Sequence, residues 1–95
     1  MSGIAPLAVW DANARDYIDI CVPVMEFLTS QGIPVFDTYR VEVYLLDTPF
    51  ARVFTYAEDE RGWRYFDESA EAAAVNDPYD VPLTALPPDS LLVMA

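Results

Sequence analysis

The sequence predicts an α+β domain: an N-terminal helix packed on a three-stranded antiparallel meander, with an extended, proline-rich C-terminal segment able to add a last strand. Three observations predict it. Apolar residues recur at helical spacing between Ala14 and Leu28. They alternate at strand spacing between Thr38 and Asp67, with turn residues in between. Four prolines then fall between Pro78 and Pro88 and enforce an extended path.

Ahead of the helix, Ile4 to Trp10 is a short apolar run whose Pro6 forbids a central strand but allows an edge strand or a docked arm. Asp11 is a candidate N-cap. Ala14, Tyr17, Ile18, Cys21, Met25 and Leu28 share one helical face, with Arg15, Asp16, Asp19 and Glu26 towards the other. Pro23 interrupts this pattern. An interior proline removes a hydrogen bond and crowds the carbonyl four residues back, at a cost of about 3 kcal/mol. A kink or two abutting helices is therefore expected there. The stop is well marked: Gly32 suits the left-handed residue after the last turn, Ile33 can fold back on Leu28, and Pro34 prevents continuation.

In the meander, Tyr39, Val41, Val43 and Leu45 point to one side and Arg40, Glu42, Tyr44 and Leu46 to the other. Thr48 and Pro49 make the first turn. In the second strand, from Ala51 to Ala57, Val53, Thr55 and Ala57 oppose Arg52, Phe54 and Tyr56. Asp59-Glu60-Arg61-Gly62 then reads as a type I turn with a bulge. That register pairs Asp59 with Trp63, puts Trp63 and Tyr65 on the face of Val53 and Ala57, and sets Phe66 beside Phe54 and Tyr56. Both faces of such a sheet carry large apolar side chains, and one helix covers only one of them. The other is left for the tail, the N-terminal arm, a second copy or a target. In the tail, Ser69 is a candidate cap for a helical turn from Ala70 to Val75. Tyr79, Val81, Leu83 and Leu86 are spaced to touch a surface, and Leu91-Leu92-Val93-Met94 reads as a last strand or docked end.

Ninety-five residues imply one domain spanning 1–95, and a hydrophobic content of 54% implies a real core. Sixteen acids stand against five bases, all arginine, for a net charge of −11. Such a charge repels nucleic-acid backbones and anionic bilayers, so no direct nucleic-acid or membrane binding is expected. The acidity either disperses a small protein or forms a face for a basic or nucleic-acid-binding protein. The opening MSGIAPLAVW lacks a positive n-region, and no apolar run reaches membrane-spanning length. A single cysteine, Cys21, excludes an internal disulfide; it belongs to the apolar stripe, and a cytoplasmic location is expected.

The chemistry-bearing residues are sparse. Without histidine, Ser–His and Cys–His nucleophile pairs are excluded. Carboxylates come close together at Asp16 with Asp19, and at Glu58, Asp59 and Glu60 with Asp67 and Glu68. Neither group has calcium-loop spacing, and they read as a solvated acidic rim. Three scattered glycines make no phosphate-cradling loop. Arg52, Arg61 and Arg64 are expected to pair internally with Glu42, Glu58 or Asp67 rather than to bind an anion. No enzymatic activity, cofactor or metal is expected.

The lysine-free, Ala- and Arg-rich vocabulary, in stretches such as ARVFTYAEDERGWRYFD and DPYDVPLTALPPDSL, resembles small orphan proteins of phages that infect high-GC actinobacteria. The resemblance implies an accessory protein that binds a host or virion component. The expected function is non-catalytic protein binding, in particular inhibition of a basic host protein, through an aromatic patch of Tyr44, Phe54, Tyr56, Trp63 and Tyr65 rimmed by Glu58, Asp59 and Glu60. The alternatives are a self-associating structural or virion-assembly module, and an acidic mimic of nucleic acid.

Overall fold

The computed structural model describes residues 5–92; Ile4 of the N-terminal run, and Val93 and Met94 of the expected terminal strand, lie outside the described residues. In chain order the elements are β1 (Ala8–Asp11), α1 (Cys21–Ser30), β2 (Thr38–Leu45), β3 (Pro49–Thr55), β4 (Phe66–Asp67), β5 (Ala72–Ala73) and β6 (Tyr79–Pro82). Short 3₁₀ turns at Arg15–Asp19 and Asp89–Leu91 complete them. The main sheet is antiparallel with strand order β1-β2-β3-β6, and β4-β5 is a separate two-stranded ribbon.

This is a small α+β fold, but not the expected arrangement. The third meander strand is missing from the main sheet because another segment takes its place beside β3. The Ala57 N–H donates to the carbonyl of Ala74 at 2.9 Å, and the Asn76 N–H to that of Thr55 at 3.0 Å. After the Asp77-Pro78 break, β6 continues along β3 from Val53↔Tyr79 to Phe50↔Pro82. Residues 74–82 thus run antiparallel along almost all of β3, and β4 is pushed outward to pair with β5. Nor does Ser69 open a helical turn: Asp67 caps the turn by accepting from Ser69, and Ala72–Ala73 is strand.

The helix is also shorter than expected. Asp11 ends β1 instead of opening a helix, and its carboxylate caps the following turn by accepting from the Asn13 N–H at 2.8 Å. The helix proper starts at Cys21, so Pro23 sits in its first turn. An N–H at that position would have no partner within the helix, so the proline, which lacks one, costs no hydrogen bond and no kink is required. The helix stop is a Schellman motif: Gly32 is left-handed at φ 74°, its N–H donates to Thr29, and the Ile33 N–H donates to Leu28.

The core lies between α1 and one face of the sheet. Ala8, Trp10, Val41, Val43, Ala51 and Val53 supply the sheet side, Val24 and Leu28 the helix side, and Ile33, Leu83 and Leu91 close the margins. Trp10 is 2% exposed. Its ring meets Phe27 edge-on at 5.9 Å, and its Nε1–H donates to the carbonyl of Leu91 at 2.9 Å. One side chain thereby joins the first strand, the helix and the C-terminal turn. No described helix is long and apolar enough to cross a membrane.

Trp10→Phe keeps an aromatic ring but leaves the Leu91 carbonyl without its donor and a void beside it. The expected loss of stability in urea unfolding is about 1–3 kcal/mol. An unchanged midpoint would show that the tail is held by other contacts.

Candidate functional site

Strand register decides what the second sheet face offers. Three rows cross it: Val9–Glu42–Arg52–Asp80, Asp11–Arg40–Phe54, and Tyr44–Phe50–Pro82. Arginines and acids alternate with the aromatics on this face. Arg40 pairs with Asp11 at 3.2 Å and with Glu42 at 2.9 Å, and its guanidinium lies 5.9 Å from the centre of the Phe54 ring. Arg52 pairs with Asp80 at 2.9 Å and lies over Tyr44 and Phe50, which stack at 5.2 Å. The Tyr44 hydroxyl donates to Glu42 at 2.8 Å, an interaction that raises its pKa.

The same device recurs at the far end of β3. Arg64 pairs with Asp37 and lies 4.4 Å from the centre of the Tyr56 ring, which packs on Tyr39 at 4.7 Å. Arg61 reaches Asp59 and covers one side of Trp63. Among the described residues, four of the five arginines are thus bound to an acid and laid on a ring. Internal pairing was expected for Arg52, Arg61 and Arg64, but the partners differ: Asp80, Asp59 and Asp37 replace Glu42, Glu58 and Asp67. Most of the positive charge is thus paired internally, Arg15 apart, and the acids dominate what solvent meets.

The eight residues of the expected patch therefore divide. Tyr44, Phe54 and Tyr56 are half-buried under arginines, on or next to the sheet. Trp63 and Tyr65 stand on a projecting arm formed by residues 58–74. The arm begins with the Asp59-Glu60-Arg61-Gly62 turn. There the Asp59 carboxylate accepts from the Arg61 and Trp63 N–H groups, and Gly62 takes φ 81°. The Asp59 N–H donates to the Trp63 carbonyl at 2.8 Å, as the turn chemistry predicts. The expected pairing holds from Asp59–Trp63 to Glu58–Arg64; beyond Arg64, residues 74–76 take the place beside the end of β3, and Trp63 and Tyr65 do not join the buried face of Val53. They are left 67% and 47% exposed, and Phe66 is 62% exposed. Phe66 was assigned to the sheet from sequence; nothing local signals its release, because the competing strand arrives from later in the chain. Glu58, Glu60, Glu68 and Glu71 are exposed around these rings, and Asp59 is half-buried in the turn.

At the arm's root, Glu58 faces Asp37, a non-glycine residue held at φ 66°. Hydrogen bonding between the two carboxyls raises the Glu58 pKa and lowers that of Asp37, and Arg64 lowers Asp37 further. The Arg64 Nε–H donates to the same Asp37 carboxylate. No family model, curated protein or solved structure matches this chain.

The two shifts act in opposite directions with pH. Because the folded Glu58 pKa is raised, its contribution is complete below its unfolded pKa and is lost as pH rises through the folded value. Because the Asp37 pKa is lowered, its contribution is complete above its unfolded pKa and is lost as pH falls through the folded value. The arm is therefore held most firmly around the ordinary carboxylate range. Glu58→Gln, which can donate to Asp37 but has no proton to lose, should abolish the weakening at higher pH and keep the weakening in acid. Amide exchange of residues 58–66 across a pH series measures this; a parent-like decline in the variant at higher pH would assign that decline to another group.

Proposed function

We propose that this protein is a non-catalytic binding protein that presents the 58–74 arm to a basic surface on another protein, as an inhibitor or accessory factor would. The observation that carries this reading is the concentration of Trp63, Tyr65 and Phe66, all exposed, on one projecting ribbon rimmed by glutamates. Large rings surrounded by charge are the usual anchors of interface energy, and acids around them speed and select encounter with basic partners. Their exposure supports a use outside the core. The likeness of the chain to phage accessory proteins supports a host or virion component as the target.

Self-association is the second reading. It is favoured by Ile18, Val22 and Met25, which are exposed together on the outer side of α1 and the turn preceding it. Sedimentation over a wide concentration range separates the two: binding by the arm predicts a monomer throughout, and self-association predicts a dimer that Val22→Ser weakens.

The direct test uses the parent and a Trp63→Ala/Tyr65→Ala double variant as parallel baits in lysate of the organism that encodes the chain. Both side chains are exposed, so the variant should unfold within about 0.5 kcal/mol of the parent. Loss of two anchors at about 2 kcal/mol each should reduce capture of the true partner at least 30-fold, and capture by the parent should fall as salt rises. Identical captured sets from both baits would remove the arm as the binding site.

A further inference from the structure

The arm carries an open strand edge as well as exposed rings, and the two together specify the shape of what it binds. Ladder geometry fixes which backbone groups are free. The Tyr65 carbonyl accepts from the Ala74 N–H at 2.8 Å, the Trp63 carbonyl accepts from the Asp59 N–H, and Asp67 pairs directly with Ala72. Trp63, Tyr65 and Asp67 therefore turn their backbone groups inward, towards the rest of the ribbon. By alternation, the N–H and C=O of Arg64 and Phe66 face away from it.

The two outer edges of the main sheet are defended. On β6, Asp80 and Pro82 occupy the exposed edge, and β1 is preceded by Pro6 and ends in Asp11. Prolines and charges of this kind are how edge strands avoid pairing with other chains. The run Trp63-Arg64-Tyr65-Phe66 has no proline, consists largely of strand-favouring aromatics, and has an uncovered edge.

We infer that the outward edge of residues 64–66 is completed by an extended, basic segment of a partner protein, which adds as a strand to the ribbon. This inference rests on the reading of the arm as a protein-binding site and names the partner's conformation and charge. The free groups of Arg64 and Phe66 supply main-chain hydrogen bonds. Alternate side chains of the incoming strand lie against Trp63 and Tyr65 on one face and Phe66 on the other. Its lysines or arginines meet Glu58, Glu60, Glu68 and Glu71, whereas a second copy of this chain, at net charge −11, brings acids against acids.

The test uses three synthetic nine-residue peptides: alternating Lys-Val, and the same sequence N-methylated either at every lysine amide or at every valine amide. Methylation keeps the charge and side chains but removes the donors on one edge of the strand. The parent should bind the unmodified peptide, and one methylated form should bind at least about tenfold more weakly, the equivalent of about 1.4 kcal/mol. In the complex, the Arg64 and Phe66 amides should exchange at least about tenfold more slowly. Equal binding of all three peptides, or unchanged exchange at those amides, would overturn strand addition. The Trp63→Ala/Tyr65→Ala variant separates the two levels: if it loses the unmodified peptide while methylation has no effect, the arm is the site but not through its edge. If it binds the peptide as the parent does, the arm reading fails too. Concentration-dependent dimerisation through this edge would overturn the assignment of the occupant.

Discussion

The fold depends on the hydrogen bond from the buried indole of Trp10 to the carbonyl of Leu91. Trp10 lies on an edge strand yet is almost wholly enclosed, because the helix packs on one side of its ring and the C-terminal turn closes over its N–H. A tryptophan buried this deeply needs a partner for its one donor, and the tail supplies it from 81 positions away. With the tail held there, residues 74–82 can lie along β3, and with that edge occupied β4 has no place in the main sheet. The bare arm is thus a consequence of how the core was closed. Contacts of such long sequence separation form only after costly loop closure.

Arginine explains how a sheet with aromatics on its second face is tolerated without a second layer. Each of the four paired guanidinium groups has a carboxylate at its edge and a ring beneath its plane, so it covers apolar surface while its charge is neutralised. As isolated surface ion pairs these would contribute little. Their structural effect is coverage: Tyr44, Phe50, Phe54 and Tyr56 are half-buried with guanidinium groups lying over their rings. Their electrostatic effect is to leave the acids unopposed on the exterior, which suits a basic partner.

Local chemistry was legible in the sequence and long-range pairing was not. Gly32 and Pro34 marked the end of the helix, Asp59 and Gly62 marked the turn, and the alternation of Val41 and Val43 against Arg40, Glu42 and Tyr44 separated core from exterior. Each of these rests on residues within one turn or one strand. Pro23 misled because its effect depends on where the helix begins, and Asp11, a good cap by type, caps a turn after a strand. The displacement of the third strand was invisible for a deeper reason: two segments could pair with β3, and the choice between them is made by the tail. The same choice explains the split in the expected patch, since Trp63 and Tyr65 were released while Tyr44, Phe54 and Tyr56 were covered.

The chain has two tryptophans, and their division of labour is the central claim: Trp10 holds the structure together and Trp63 is left for a partner. Acrylamide quenching of fluorescence tests this in the free protein, with Trp63→Phe and Trp10→Phe each leaving a single emitter. Trp10 alone should emit at shorter wavelength and resist the quencher. Trp63 alone should emit at longer wavelength and be quenched roughly several-fold more steeply, as its exposure of 67% against 2% requires. Equal quenching of the two would contradict the account, because the arm would then be packed against the body rather than presented to solvent.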